Sequence, residues 1–341
     1  RQYVDLESNR QAASLADAYN RIGDCLYQNR QFSLAEENYS RAAQLSPSAG
    51  DYSIYQKGFL LGLQKDYKGK ISAMDRLISE YPESQYVDDA LFEKGRSYVL
   101  LENSSSAAQA FEKLIREFPL SSLARKAGIQ LGLLYYNDNQ PEKALAAYKQ
   151  VISNYPGSEE AKIALQDLKS VYIDLNDINA YASYVNSIGG NIRLEVGEQD
   201  SLTYIAAEKL FMRGDNDDAR RSLINYLQTF PEGAFSSNAN FYLGSIAFAK
   251  KEFDEAIQRF KSVIASGDTK FLEESVARTA EIEYLSKDYP AALESFKRLQ
   301  IVAENPENRQ AARLGIMRCA LQTGQQKDAL LAADELLKEP K

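Results

Sequence analysis

Small, aromatic and proline residues recur along this chain at fixed offsets, with mostly polar residues between them. The phrase ISNYPGSEEA at 152–161 carries the outline: an aromatic, a proline, a turn and an alanine. It returns as ISEYPESQYVDDA at 78–90, IREFPLSSLARKA at 115–127 and LQTFPEGAFSSNA at 227–239. Sliding the chain against itself places units starting near Ala16, Asp51, Asp88, Arg125, Lys162, Asp200, Ser237, Glu273 and Gln310, 35 to 38 residues apart. A constant period of this length marks an array of supersecondary units rather than one core. Within a unit a large apolar residue stands at position 7, Gly or Ala at 8, Ala at 20, an aromatic or other large residue at 24 and Pro at 32. The copy from Arg125 to Pro156 keeps all of it, in Leu131, Gly132, Tyr135, Ala144, Tyr148 and Pro156.

That spacing predicts two antiparallel helices per unit. Gly or Ala at positions 8 and 20 lets the paired backbones come close enough for the ridges of one helix to enter the grooves of the other. The large residue at 24 fills the core between one pair and the next. Proline ends the second helix, because it lacks an amide donor and restricts the residue before it. The Ser or Asp that follows suits the N-cap of the next helix. The expectation is an all-α chain of about nine helix-turn-helix units, each touching mainly its neighbours.

These residues resemble the tetratricopeptide repeat, whose pattern runs L-G-x2-Y, then A-x3-F, then P. Further copies are Ile22, Gly23, Ala35, Tyr39 and Pro47; Gly95, Tyr98, Ala107, Phe111 and Pro119; and Leu243, Gly244, Ala256 and Phe260. Ala280, Ala292 and Phe296, then Ile316 and Ala329, follow the same plan, although the family's tryptophan at position 4 is missing throughout. The resemblance implies a right-handed α-α superhelix whose inner wall is lined by positions 2, 5, 9, 12 and 13 of each first helix. Here those positions select Tyr52, Tyr55, Phe59, Phe92, Tyr136, Tyr204, Phe211, Phe241, Phe248 and Tyr284. It also implies a non-enzymatic scaffold for a protein or peptide partner. An aromatic wall suits that role, since rings give much contact area for little ordering entropy. Members that bind chaperone tails clamp a terminal carboxylate with Lys and Asn. The matching positions here hold Asn20, Asp24, Tyr52, Tyr55 and Phe59, and Asp24 would repel such a ligand.

The closing Y-P-x-S phrase and the long period are similar to the repeats of Gram-negative envelope proteins, such as the outer-membrane assembly lipoprotein subunit and the Tol-Pal coordinator. This implies a periplasmic or outer-membrane-associated scaffold, anchored through a segment outside this chain. Two other readings are a cytoplasmic peptide sensor that closes about a hinge and a glycan-binding receptor. The second calls for stacking tryptophans, and the sequence has no Trp.

One copy breaks the pattern. Between Lys162 and Ile188, Lys169 stands at the small position 8, Tyr181 replaces Ala at 20, and Gly189-Gly190 takes the place of the closing proline. The expected organisation is an N-terminal block 1–190, a polar connection 191–199 (NIRLEVGEQ) and a C-terminal block 200–341. Tyr3 and Leu6 fall at positions 24 and 27 of a preceding unit, so Arg1 to about Ser14 reads as the second helix of a truncated repeat. The closing LLKEPK leaves the last unit uncovered. Both ends therefore suggest a segment of a longer repeat protein.

Composition narrows the chemistry. A formal net charge of −8 without a basic run disfavours nucleic acid. No apolar run approaches the roughly 18 to 20 residues needed to span a bilayer. Histidine is absent, which removes the commonest general base and metal ligand. Cys25 and Cys319 lack metal or disulfide spacing and read as small buried residues. The pairs Glu36-Glu37 and Asp217-Asp218 read as solvated helix faces, and Gly189-Gly190 lacks the G-K-[ST] of a nucleotide loop. No cofactor or metal is implied.

Overall fold

The computed structural model describes residues 2–47, 50–189, 193–267 and 269–337. Among them are eighteen α-helices and no strand. The first helices and their partners are α1 (Gln2–Gln28) with α2 (Phe32–Leu45), α3 (Asp51–Leu63) with α4 (Tyr67–Glu80), α5 (Val87–Leu100) with α6 (Ser104–Glu117), and α7 (Ser122–Asn137) with α8 (Pro141–Asn154). Then come α9 (Glu159–Asp174) with α10 (Ile178–Ile188), α11 (Val196–Arg213) with α12 (Asn216–Thr229), and α13 (Ser236–Ala249) with α14 (Phe253–Ser266). The series ends with α15 (Thr269–Leu285) and α16 (Tyr289–Val302), then α17 (Pro306–Gln322) and α18 (Gln326–Leu337). Eight of these pairs, all but α9 and α10, pack against each other in the expected register.

The chain divides into two compact units, Arg1–Val171 and Tyr172–Lys341, with the division inside α9. In the N-terminal unit successive helices from α1 to α8 pack on one another, and α5 also touches α7. In the C-terminal unit the same holds from α10 to α18, with direct contacts of α11 on α13, α13 on α15 and α15 on α17. First helix therefore lies against first helix, as a stack of hairpins requires.

Each hairpin turns in the same way. Position 15 adopts a left-handed backbone in all nine units: Arg30, Lys65, Glu102, Asn139, Asn176, Gly214, Lys251, Lys287 and Gly324. The next amide then reaches back to the carbonyl five residues earlier, as Asp66 to Leu61 at 2.9 Å, Gln140 to Tyr135 at 2.8 Å and Gln325 to Ala320 at 2.8 Å. This closing pattern satisfies carbonyls that the end of a helix leaves unpaired. The same residue opens the second helix; Asp66 and Asn103 accept from the amides of Gly69 and Ser106 at 2.9 and 3.1 Å. Left-handed backbone costs a side chain on the order of 1 kcal/mol, so seven of the nine turns carry a small strain that their hydrogen bonds offset.

The small residue at position 8 has a more specific role than close backbone approach. A Cβ built on Gly95 would lie 2.5 Å from the ring of Phe111, and on Gly23 or Gly244 it would meet Tyr39 or Phe260 at 2.6 or 2.7 Å. The residue at position 24 thus lies flat over the glycine of its own pair. Position 20 is sealed: Ala35, Ala107, Ala144, Ala219, Ala256 and Ala292 are fully buried. Two units depart from alanine here, with Tyr181 and Lys70; Lys70 passes over Gly62 and forms a buried ion pair with Glu93 of the next first helix.

Units are joined by the closing phrase. Tyr155 donates its hydroxyl to the Pro119 carbonyl one unit back at 2.8 Å, and Tyr81 does the same to Pro47. The serine of the phrase bonds the acidic residue that opens the preceding first helix, Ser84 to Asp51 and Ser121 to Asp88, both at 2.6 Å.

Three expectations change. The segment read as a separate truncated helix is continuous with α1, because no turn residue interrupts Gln2–Gln28; the side chains of Tyr3 and Leu6 lie outside the described residues. Cys25 is exposed, and only Cys319 is buried. The polar connection is shorter than expected, since α11 starts at Val196. Of the connection's surroundings, Gly190, Asn191 and Ile192 lie outside the described residues, as does the end of LLKEPK from Lys338. In the aberrant copy Tyr181 is buried beside Tyr172, ring centres 6.0 Å apart, and burial pushes its hydroxyl up to about 12.

Candidate partner-binding face

The first-helix face of the N-terminal unit begins with a carboxylate. Asp24 accepts hydroxyls from Tyr39 at 2.8 Å and Tyr52 at 2.6 Å, so it is already committed inside the stack. Tyr55 stacks on Tyr86 with ring centres 5.2 Å apart, and its hydroxyl lies 3.5 Å from Asp89. Burial, followed by the charge of Asp88, holds the Asp89 carboxyl above its usual range. Phe59 has Tyr27 edge-on at 6.3 Å, with the Lys70 ammonium 5.8 Å from its ring centre. Phe92 packs 5.9 Å from Phe111, and Tyr136 is half-buried on α7.

In the C-terminal unit, Phe211 stacks on Tyr242 and Phe241 on Phe271, at 4.4 and 4.3 Å. Tyr204 is 2% exposed, stacked on Phe235 at 4.4 Å, with its hydroxyl on Glu208 at 2.6 Å. It is a core residue and leaves the expected groove set. Phe248 carries the Arg278 guanidinium 5.0 Å from its ring centre. Tyr284 borders a cavity of about 380 Å³ between α15 and α17, floored by Phe296 and Leu299 of α16. The α15 and α17 residues around it include Glu274, Ala277, Glu281, Ala311, Leu314 and Arg318. These stand at positions 2, 5 and 9 of two successive units.

Residues 16–48, 52–84 and 206–269 match tetratricopeptide repeat families, in the register of these helix pairs. The chain is a tetratricopeptide repeat protein. Residues 88–170 match a further family, described as outer membrane lipoprotein (YfiO). A comparison with curated proteins finds no match. Among solved structures, a tetratricopeptide repeat protein from Parabacteroides merdae is 17% identical with a TM-score of 0.43, over 78% of this chain and 99% of that one. MamA from Desulfovibrio magneticus is 20% identical with a TM-score of 0.40, over 51% of this chain and 92% of that one. PilF of Pseudomonas aeruginosa is 13% identical with a TM-score of 0.41, over 65% and 95%. A tetratricopeptide fold presents protein or peptide partners with a ready surface, and no helix among the described residues is long and apolar enough to cross a membrane.

Most of the ten rings thus pack against neighbouring helices, and aliphatic side chains stand out instead. Leu63, Leu100, Leu133 and Ile163 in the N-terminal unit, with Met212, Leu285 and Leu321 in the C-terminal unit, are exposed on first helices. All occupy positions 2, 9, 12 or 13. Scanning those positions for any large apolar residue, rather than for rings, would have found them. The carboxylate pairs are ordinary surface groups: Glu37 pairs with Arg41 at 2.6 Å, Glu36 with Lys57 at 3.5 Å, and Asp217 with Lys250 at 2.5 Å. The Lys250 hydrogen bond holds the Asp217 carboxyl below its usual range.

Proposed function

We propose that this tetratricopeptide protein is a non-enzymatic scaffold that holds a peptide segment or partner domain on its first-helix face, within a bacterial cell-envelope assembly. The observation that carries the reading is the cavity between α15 and α17, which lies on that face and is bounded by positions 2, 5 and 9 of two successive repeats. The exposed leucines on the same helices supply the apolar area that a packed interface buries, and a few such anchors dominate binding energy. Support for the envelope comes from the match of residues 88–170 to the outer membrane lipoprotein family. Two features favour binding over catalysis: a sequence without histidine, and acidic pairs whose members Glu37 and Asp217 are spent on surface cations.

The test is capture of partners by the full chain in its native cell, from envelope and soluble fractions separately. Two charge-insertion variants serve as controls, Leu100→Arg with Leu133→Arg, and Leu285→Arg with Leu321→Arg. All four leucines are exposed, so folding should be unaffected. We expect a partner in the envelope fraction that at least one variant loses. Equal recovery by both variants would remove the first-helix face as the binding surface, and recovery from the soluble fraction alone would remove the envelope.

A further inference from the structure

Resting on that reading, we propose what the cavity between α15 and α17 takes: one bulky aliphatic or aromatic side chain of a linear peptide, with an adjacent aspartate or glutamate of that peptide held by Arg318. Its volume of about 380 Å³ lies at the low end of the roughly 300–1,000 Å³ usual for ligand pockets, which suits an inserted side chain. Its interior is apolar, set by Tyr284, Phe296, Leu299 and Leu314. Small residues leave it open. Ala277 stands at position 5, where Tyr55, Tyr204 and Phe241 stand in other repeats. Each of those three rings is covered by a second aromatic 30 or 31 residues later, namely Tyr86, Phe235 and Phe271. The corresponding residue in this repeat is Asn308, which borders the cavity and is turned to Glu273, 2.7 Å away.

The charges around the mouth are unequal in what they have left to offer. On α15, Glu274 and Glu281 both bind Arg278, at 2.8 and 2.9 Å, and Arg278 lies over Phe248 as well. Across the cavity on α17, Arg318 is exposed and makes no ion pair or hydrogen bond among the described residues. It is the uncommitted cation of the mouth, and a guanidinium matches a carboxylate with two parallel hydrogen bonds. Leu285 and Leu321, 55% and 59% exposed, extend the apolar surface beside it. Charge complementarity therefore selects an acidic residue next to the inserted side chain.

The experiment is selection of a random dodecapeptide phage library on the full chain, followed by anisotropy titration of the enriched sequences as labelled peptides. Leu, Ile or Phe should be enriched within two positions of Asp or Glu. Ala311→Trp, which places a ring at the cavity wall, should weaken these peptides at least tenfold. Arg318→Glu should weaken them similarly and regain affinity for the same peptides with Lys in place of the acid, a reversal that loss of folding does not produce. Ala311 and Arg318 are both exposed, so circular dichroism should match the unaltered chain. Peptides that bind both variants as tightly as the original would overturn the cavity assignment and leave the scaffold reading standing. Enrichment of no peptide on the unaltered chain would overturn both. Concentration-dependent self-association lost in Ala311→Trp would seat a second copy there and overturn the peptide.

Discussion

The first-helix face is built from the same positions in both units and comes out differently. In the N-terminal unit, Tyr52 and Tyr55 are met by Tyr86, at 5.9 and 5.2 Å, and the rings close on each other. Between α15 and α17 the position-5 ring is replaced by Ala277 and its cover by Asn308, and a cavity of about 380 Å³ results. A ring at a ligand-facing position is therefore not a ligand contact by itself. What matters is whether the residue 30 or 31 positions later covers it. Three repeats use an aromatic pair as mortar between neighbours, and between α15 and α17, where that pair is missing, a cavity stands open.

The comparison can be broken most forcefully at position 8. Gly95→Leu in the N-terminal unit drives a side chain into Phe111, which is fully buried, and should cost about 3 kcal/mol. Tyr86→Ala removes the ring that covers Tyr52 and Tyr55 and should cost about 2 kcal/mol, leaving an opening like that of the C-terminal unit. Gly315→Leu, at position 6 of the last repeat, meets the ring of Phe296 from the preceding pair, but this ring borders the cavity and can move into it, so about 1 kcal/mol is expected. Urea unfolding followed by circular dichroism gives all three; equal costs for the two glycine variants would mean that the cavity offers no relief.

Ala277→Tyr with Asn308→Phe imports the missing pair. It should change stability by less than about 0.5 kcal/mol, since both positions are partly exposed, while abolishing binding of peptides selected on the unaltered chain. Retained binding would place the site elsewhere. The smallest effect concerns Asp89. Its folded carboxyl titrates above the ordinary 3.8, chiefly through burial and then through Asp88. The native state therefore holds this proton more tightly than the unfolded chain, and stability falls as pH rises from 3.8 through the raised value. Asp89→Asn should melt above the unaltered chain at pH 7, with the gap closing as pH drops below 3.8; a gap independent of pH would assign the effect to packing.

Much of the fold was legible because its signals are local. Proline at position 32 ends a helix wherever it stands, and Gly132 or Ala144 declares a close contact by size alone. The hairpin turn was hidden, since its left-handed residue is Arg30, Lys65 or Glu102 rather than glycine in most copies. Lys70 was unreadable for a related reason. A lysine at a position reserved for alanine is tolerated only because Gly62 makes room beneath it and Glu93 waits on the next helix. Neither circumstance can be inferred from the residue itself.

By itself the sequence determined the helix pairs, their register and the face that each first helix turns away from its partner, because these follow from offsets within one repeat. Only the tertiary structure decided which side chains on that face remain free. Tyr204 is sealed and Leu285 is exposed through packing by residues from the adjoining repeat, and burial depends on neighbours in space rather than on position along a helix.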